Sequence, residues 1–165
     1  MGAAARLTEL GLTLPAVAAP VAAYVPAVRT GSLVHTSGQL PFVAGTLAIT
    51  GKVGASVTPD EATALARICA LNALAAVAAL LESEGAAAGP DALDRIVRVV
   101  KVVGFVASDP SFTGQPGVVN GASNLLHDVL GSAGMHARSA VGVAVLPLDS
   151  PVEVEIVVEL APERS

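Results

Sequence analysis

The chain has 165 residues, 53% of them apolar and only 2% aromatic, with nine Lys and Arg against 14 Asp and Glu, no Trp and one Cys. A single domain of that size buries roughly 70% of the surface its unfolded chain exposes, so no disulfide or metal staple is needed to fold it. The formal charge of −5 excludes a general grip on nucleic-acid backbone, the lack of aromatics excludes base-stacking platforms, and a mean hydropathy of +0.68 is the reverse of the disordered signature.

That hydropathy raises the question of a membrane. The uncharged run 10–28 is broken by Pro15, Pro20 and Pro26, and a bilayer-spanning helix needs about 20 residues with an intact hydrogen-bond ladder. A secretory signal fails on the same segment, because Glu9 follows Arg6 and Pro15 interrupts what comes next. Run 68–81 is too short to span and contains Asn72, which makes it a buried helix. Cys69 has no intrachain partner, in keeping with a reducing compartment, so a cytoplasmic location away from membranes is expected.

In chain order, residues 3–12 read as a short helix stopped by Pro15, followed by a Pro/Ala-rich connector to Tyr24, and residues 1–20 are taken as an extension to a single domain at 21–165. Short β-prone pieces follow at 24–28, 32–39 and 46–50, punctuated by Gly31, Gly45 and Gly51 in the manner of a meander. Thr58-Pro59-Asp60-Glu61 joins a capping box to Pro at the first helical position and predicts a helix from Thr58 to about Glu84, ending at Gly85. It is nearly all Ala and Leu and must be covered on most sides. The Val-rich stretch 96–108 reads as a long strand, 116–130 as a second helix closed by Gly131, and 139–146 and 152–160 as two final strands. Strands, helix, strand, helix and two strands describe an α+β domain with two helices on one face of a sheet and a second face left to a function or a partner.

Phosphate-loop, paired-histidine and nucleophile-elbow motifs are absent. His35, His127 and His136 are scattered singly and predict no metal site, and Cys69 inside the Ala/Leu helix reads as a small buried hydrophobe. From 152 to 156 the last strand alternates strictly, which sets Glu153 and Glu155 opposite Val152, Val154 and Ile156. On the alternation alone the acids read as the solvated face of a half-exposed strand. Arg138, just before an apolar strand, is either a surface charge or a fork for a carboxylate.

The segment His136-Ala137-Arg138-Ser139-Ala140-Val141-Gly142-Val143-Ala144-Val145-Leu146-Pro147 with Val152-Glu153-Val154-Glu155 resembles the signature region of the Rid family, the reactive intermediate deaminases. Tyr24, the run Thr36-Ser37-Gly38-Gln39-Leu40-Pro41 and Val119-Asn120-Gly121-Ala122-Ser123 resemble its other motifs in the same order, over residues 21–160. The resemblance implies a chorismate-mutase-like sheet with two helices on one face, and three subunits joined through their sheets into a barrel with clefts between neighbours. It implies hydrolysis of small 2-imino or enamine acids to 2-oxo acids and ammonia with no cofactor. By the same resemblance Arg138 holds the substrate carboxylate, Glu153 positions the attacking water, Ser37 and Gly38 line the cleft, and Tyr24 and Asn120 close it. Ala140 stands where the best-known deaminases have a cysteine, which makes the cleft wall more apolar. The loop 109–116 and the N-terminal extension look like a divergent branch whose members carry the name endoribonuclease. Two alternatives accompany deamination: a non-catalytic trimer binding a small carboxylate or a protein partner in the same clefts, and ribonuclease activity, which the charge and the isolated histidines disfavour.

Overall fold

A computed structural model describes residues 1–17, 23–85 and 88–162. Its α-helices are α1 (Ala3–Glu9), α2 (Pro59–Ser83) and α3 (Gln115–Leu130), and its strands are β1 (Ala27–Thr30), β2 (Leu33–Thr36), β3 (Ile96–Ala107), β4 (Ala137–Val143) and β5 (Val152–Leu160). Short 3-10 turns at Gly89–Arg95, Gly131–Gly134 and Pro147–Asp149 connect them. The strands form one mixed sheet in the order β1-β2-β5-β3-β4, antiparallel except for the parallel pair β3 and β4 that α3 joins.

Each long element forms for a reason legible in its residues. At α2, Thr58 accepts from the Glu61 N–H at 3.2 Å while Glu61 Oε2 accepts from the Thr58 N–H at 2.8 Å, the reciprocal capping box expected there. This helix is long and apolar enough to cross a bilayer, yet it is mostly buried, and Cys69, Ala70, Ala73, Leu74 and Val77 are all fully enclosed. Gly131 ends α3 with a positive φ. Gly31 supplies the positive φ at the first position of the two-residue loop between β1 and β2.

The central strand β5 alternates without a break: Val152, Val154, Ile156, Val158 and Leu160 are buried while Glu153, Glu155, Val157 and Glu159 are half-exposed. Register extends that division sideways. Ile156, Val102 and Arg138 form one row on the helix side, whereas Glu153, Phe105 and Val141 form a row on the other face. Both α2 and α3 cover the first face, and among the described residues no helix covers the second. Helix α1 packs into the same core through Ala3 and Leu7, with the Ala3 N–H donating to Asp94 at 2.6 Å.

Three expectations are corrected. Residues 46–50 and the pair Tyr24-Val25 are not strands; apart from a Val43–Thr46 bridge the first segment has no β-partner among the described residues, because the positive-φ turns at Ala44, Gly45 and Gly51 bend it away from the sheet. Strand β4 begins earlier and stops earlier than 139–146, since its partner β3 ends at Ala107 and leaves residues beyond Val143 without a ladder. Residues 18–22 of the Pro/Ala connector and 86–87 of the connector after α2 lie outside the described residues.

The two helices meet at Gly121, where a Cβ would be driven into the Thr63 carbonyl of α2. Gly121→Ala is expected to destabilise the fold by about 1–3 kcal/mol, the usual cost of overpacking. No atom of the described residues lies within 4 Å of the corresponding position at Gly117, so Gly117→Ala on the same helix is expected to be neutral or to stabilise by about 0.5–1 kcal/mol. Urea unfolding midpoints of the two variants check both signs.

Candidate functional site

Arg138 is the second residue of β4, on the side of the sheet that α3 covers. Its guanidinium is held by that helix. Nη1 donates to Asn120 Oδ1 at 2.8 Å and Ser123 Oγ at 3.1 Å, and Nη2 donates to the Pro116 carbonyl at 3.1 Å. Asn120 and Ser123 are three residues apart and therefore share one helix face. Three of the five guanidinium N–H groups are engaged in this way. The Nε–H and the second Nη2–H have no partner among the described residues, so one edge of the fork, the geometry that matches a carboxylate, is open.

Glu153 lies on the other face, at the start of β5. Across from it β2 runs on irregularly: His35 pairs with Val157, but Gln39 pairs with Val154, so one extra residue is accommodated on the 35–39 side. This bulge holds Ser37 and Gly38 over β5. Ser37 spends its polar groups on the segment before β1, donating Oγ–H to Val25 O at 2.6 Å and N–H to Pro26 O at 2.8 Å. At Gly38 the backbone comes so close to Glu153 that a Cβ would displace the end of that flexible side chain. The Glu153 carboxylate makes no hydrogen bond or ion pair among the described residues, and burial, then the neighbouring charge of Glu155, pushes its pKa up.

The residues singled out in the sequence therefore fall into two groups. Arg138 and Asn120 meet at the α3–β4 edge; Glu153, Ser37 and Gly38 meet on the uncovered face, with the exposed Tyr24 next to the Val25 and Pro26 carbonyls that bind Ser37. Within one chain the pleat separates them, since Arg138 aligns with Val102 and Glu153 with Phe105, three residues further along β3. Ala140, opposite Gly104, is half-buried against the core on the Arg138 side. Of the other candidates, Cys69 is fully buried with its thiol pushed up by desolvation, His35 is exposed on β2, and His127 faces the Gly131 carbonyl. Sequence reasoning gave no role to Ser123 or His136, although Ser123 is one helical turn after Asn120; the contact between Ser123 Oγ and His136 Nε2, 2.9 Å, depends on how α3 lies on β4.

Residues 4–160 match a family model described as "YjgF/chorismate mutase-like, putative endoribonuclease". Protein TCP17 of Trypanosoma cruzi is 48% identical over 158 residues, 95% of this chain and 93% of that one. Among solved structures, Atu1372 of Agrobacterium tumefaciens, a protein of unknown function, is 46% identical with a TM-score of 0.85 and coverage of 96% of this chain and 92% of its own. A protein of Shewanella oneidensis described as a "putative endoribonuclease" is 35% identical with a TM-score of 0.87, covering 97% and 100%.

The state of Glu153 carries a sign that can be measured. With its folded pKa raised, the folded protein holds a proton at pH values where the unfolded chain has released it, so this group's contribution to stability falls as pH rises through that window. Glu153→Gln removes the titration and is expected to raise Tm at about pH 7, with the advantage disappearing below the ordinary glutamate range near ~pH 4. Calorimetric scans of wild type and variant at the two pH values check it.

Proposed function

The chain belongs to the YjgF/chorismate mutase-like family, and from that premise we propose that it hydrolyses small 2-imino or enamine acids to 2-oxo acids and ammonia. The observation that carries the reading is the open edge of Arg138, a guanidinium immobilised by three acceptors on α3 with donors left for a carboxylate. Glu153 supports it from the opposite sheet face. One protomer's α3–β4 edge, set against the uncovered face of the next, would bring the two groups to one cleft, as in a trimer.

The chemistry asks little of the protein. Arg138 holds the substrate carboxylate and thereby orients the electrophilic iminium carbon, which is worth most where reactive groups are otherwise weak. Glu153 takes a proton from water as its oxygen bonds to that carbon, giving a carbinolamine. It then returns the proton to nitrogen, the C–N bond breaks and ammonia leaves, while the hydroxyl proton passes back to Glu153 as the 2-oxo acid forms and from there to the released ammonia as ammonium. A carboxylate with a raised pKa suits this double role, because acid–base groups work best when their pKa approaches the operating pH. Water and proton transfers balance the reaction, and no electron or group carrier enters it. The bulge at Ser37 and Gly38 would line the cleft beside Glu153, where the Gly38 backbone approaches the carboxylate; Tyr24 and Asn120 would close it.

A non-catalytic carboxylate-binding trimer uses the same parts, and turnover separates the two. Purified protein is expected to accelerate hydrolysis of 2-iminobutanoate generated in situ; binding of 2-oxobutanoate without turnover would favour the second reading, and RNA cleavage that Arg138→Ala abolishes would favour the name carried by the Shewanella protein. Arg138→Lys replaces a fork by a point charge, and kcat/KM is expected to fall by on the order of 10–100-fold, the scale of a charge-assisted hydrogen bond.

Assembly is tested separately. Light scattering is expected to give about 49 kDa, three times the 16.3 kDa chain. Val141 is exposed in the row of Phe105 and Glu153, and Val141→Glu is expected to yield a folded monomer without activity.

A further inference from the structure

Behind the Arg138 guanidinium lies a pair of side chains that the proposed reaction does not use. Ser123 Oγ is 2.9 Å from His136 Nε2, and His136 Nδ1 is 2.6 Å from the Gly134 carbonyl oxygen. A carbonyl can only accept, so Nδ1 carries the ring proton and, in the neutral ring, Nε2 is the acceptor. Ser123 O–H therefore donates to Nε2, while Ser123 Oγ accepts from Arg138 Nη1–H at 3.1 Å. The bonds run in one direction: guanidinium to serine, serine to imidazole, imidazole to main chain.

A hydroxyl, an imidazole base and an orienting acceptor in that sequence also describe an activated nucleophile. The surroundings argue against that use. Ser123 sits at Nη1, which divides its two hydrogens between Asn120 and Ser123, whereas the open edge is that of Nε and Nη2. A carboxylate bound there has the width of the guanidinium between itself and the serine oxygen.

Resting on the reading of Arg138 as a carboxylate anchor, we infer that Ser123 and His136 are positioning residues that hold the guanidinium with its open edge toward the substrate. His136, fixed by the Gly134 carbonyl, draws the serine proton away from Arg138 and leaves an oxygen lone pair facing Nη1. Without the imidazole the hydroxyl proton is free to turn toward Nη1, where it opposes the bond it formerly supported. The polarity of the chain, more than the presence of a serine, is what orients the arginine.

The test combines kinetics with 15N NMR of histidine-labelled protein. Ser123→Ala and His136→Phe are expected to raise KM for 2-iminobutanoate about 3–10-fold, the worth of one hydrogen bond, with kcat changed by less than about twofold. His136→Gln, whose amide oxygen can still accept the serine proton, is expected to recover most of the loss. In wild type the 15N shifts should report the Nδ1–H tautomer of His136, and Arg138→Gln should move the Nε2 resonance through Ser123. An Nε2–H tautomer, an Nε2 resonance indifferent to Arg138→Gln, a fall in kcat at constant KM, or covalent labelling of Ser123 by a fluorophosphonate would each overturn the inference. If wild type turns over no imine, the deaminase reading fails by itself. The 15N measurement and the affinity for 2-oxobutanoate in the same variants then still decide the positioning role.

Discussion

The candidate site depends on how closely α3 can lie against the rest of the molecule. Two glycines permit it: at Gly104 a Cβ would collide with Val119, and at Gly121 one would strike the Thr63 carbonyl of α2. With no side chain at either point the helix sinks onto β3 and against α2, and Arg67 and Asp128 close the helix pair at 2.9 Å. Every acceptor that holds Arg138, namely Asn120 Oδ1, Ser123 Oγ and the Pro116 carbonyl, is carried by this one helix. A shift of α3 by an ångström would break hydrogen bonds that lie between 2.8 and 3.1 Å. Packing in the core and orientation of the guanidinium are thus one constraint.

The β-pleat imposes the second constraint. A sheet whose helices all lie on one side must divide alternate residues between a dry face and an uncovered one. Strand β5 does so with three valines, an isoleucine and a leucine on one side and three glutamates and Val157 on the other. Because Arg138 and Glu153 stand on opposite sides, the geometry of one protomer separates the two charges instead of letting them neutralise each other. Glu153 is left half-buried, with no cation partner among the described residues and beside Glu155, and its proton affinity rises accordingly. Direct pairing with an arginine would hold that carboxyl down.

Local order was largely legible in the residues. The capping box at Thr58 and Glu61, the glycine after α3, the valine density of β3 and the strict alternation of β5 are short-range patterns, and the structure realises them with shifts of a residue or two. Residues 46–50 failed for the complementary reason. A β-prone composition makes a strand only when an edge is available, and the turns at Ala44, Gly45 and Gly51 direct this segment elsewhere.

Residue types and their spacing thus determined the α+β class, the two helices and the faces of β5, and the family resemblance of the motifs supplied the candidate set of Arg138, Asn120, Ser37, Gly38, Tyr24, Ala140 and Glu153. Tertiary structure alone decided how that set divides. Whether Gly38 lies over Glu153 depends on a one-residue bulge between chain segments more than 100 residues apart in sequence. Whether Ser123 meets both Arg138 and His136 depends on the docking of α3, which no local pattern encodes. Hydrogen bonds are decided over tenths of an ångström by long-range packing, whereas periodicity and capping are decided within a few residues of chain.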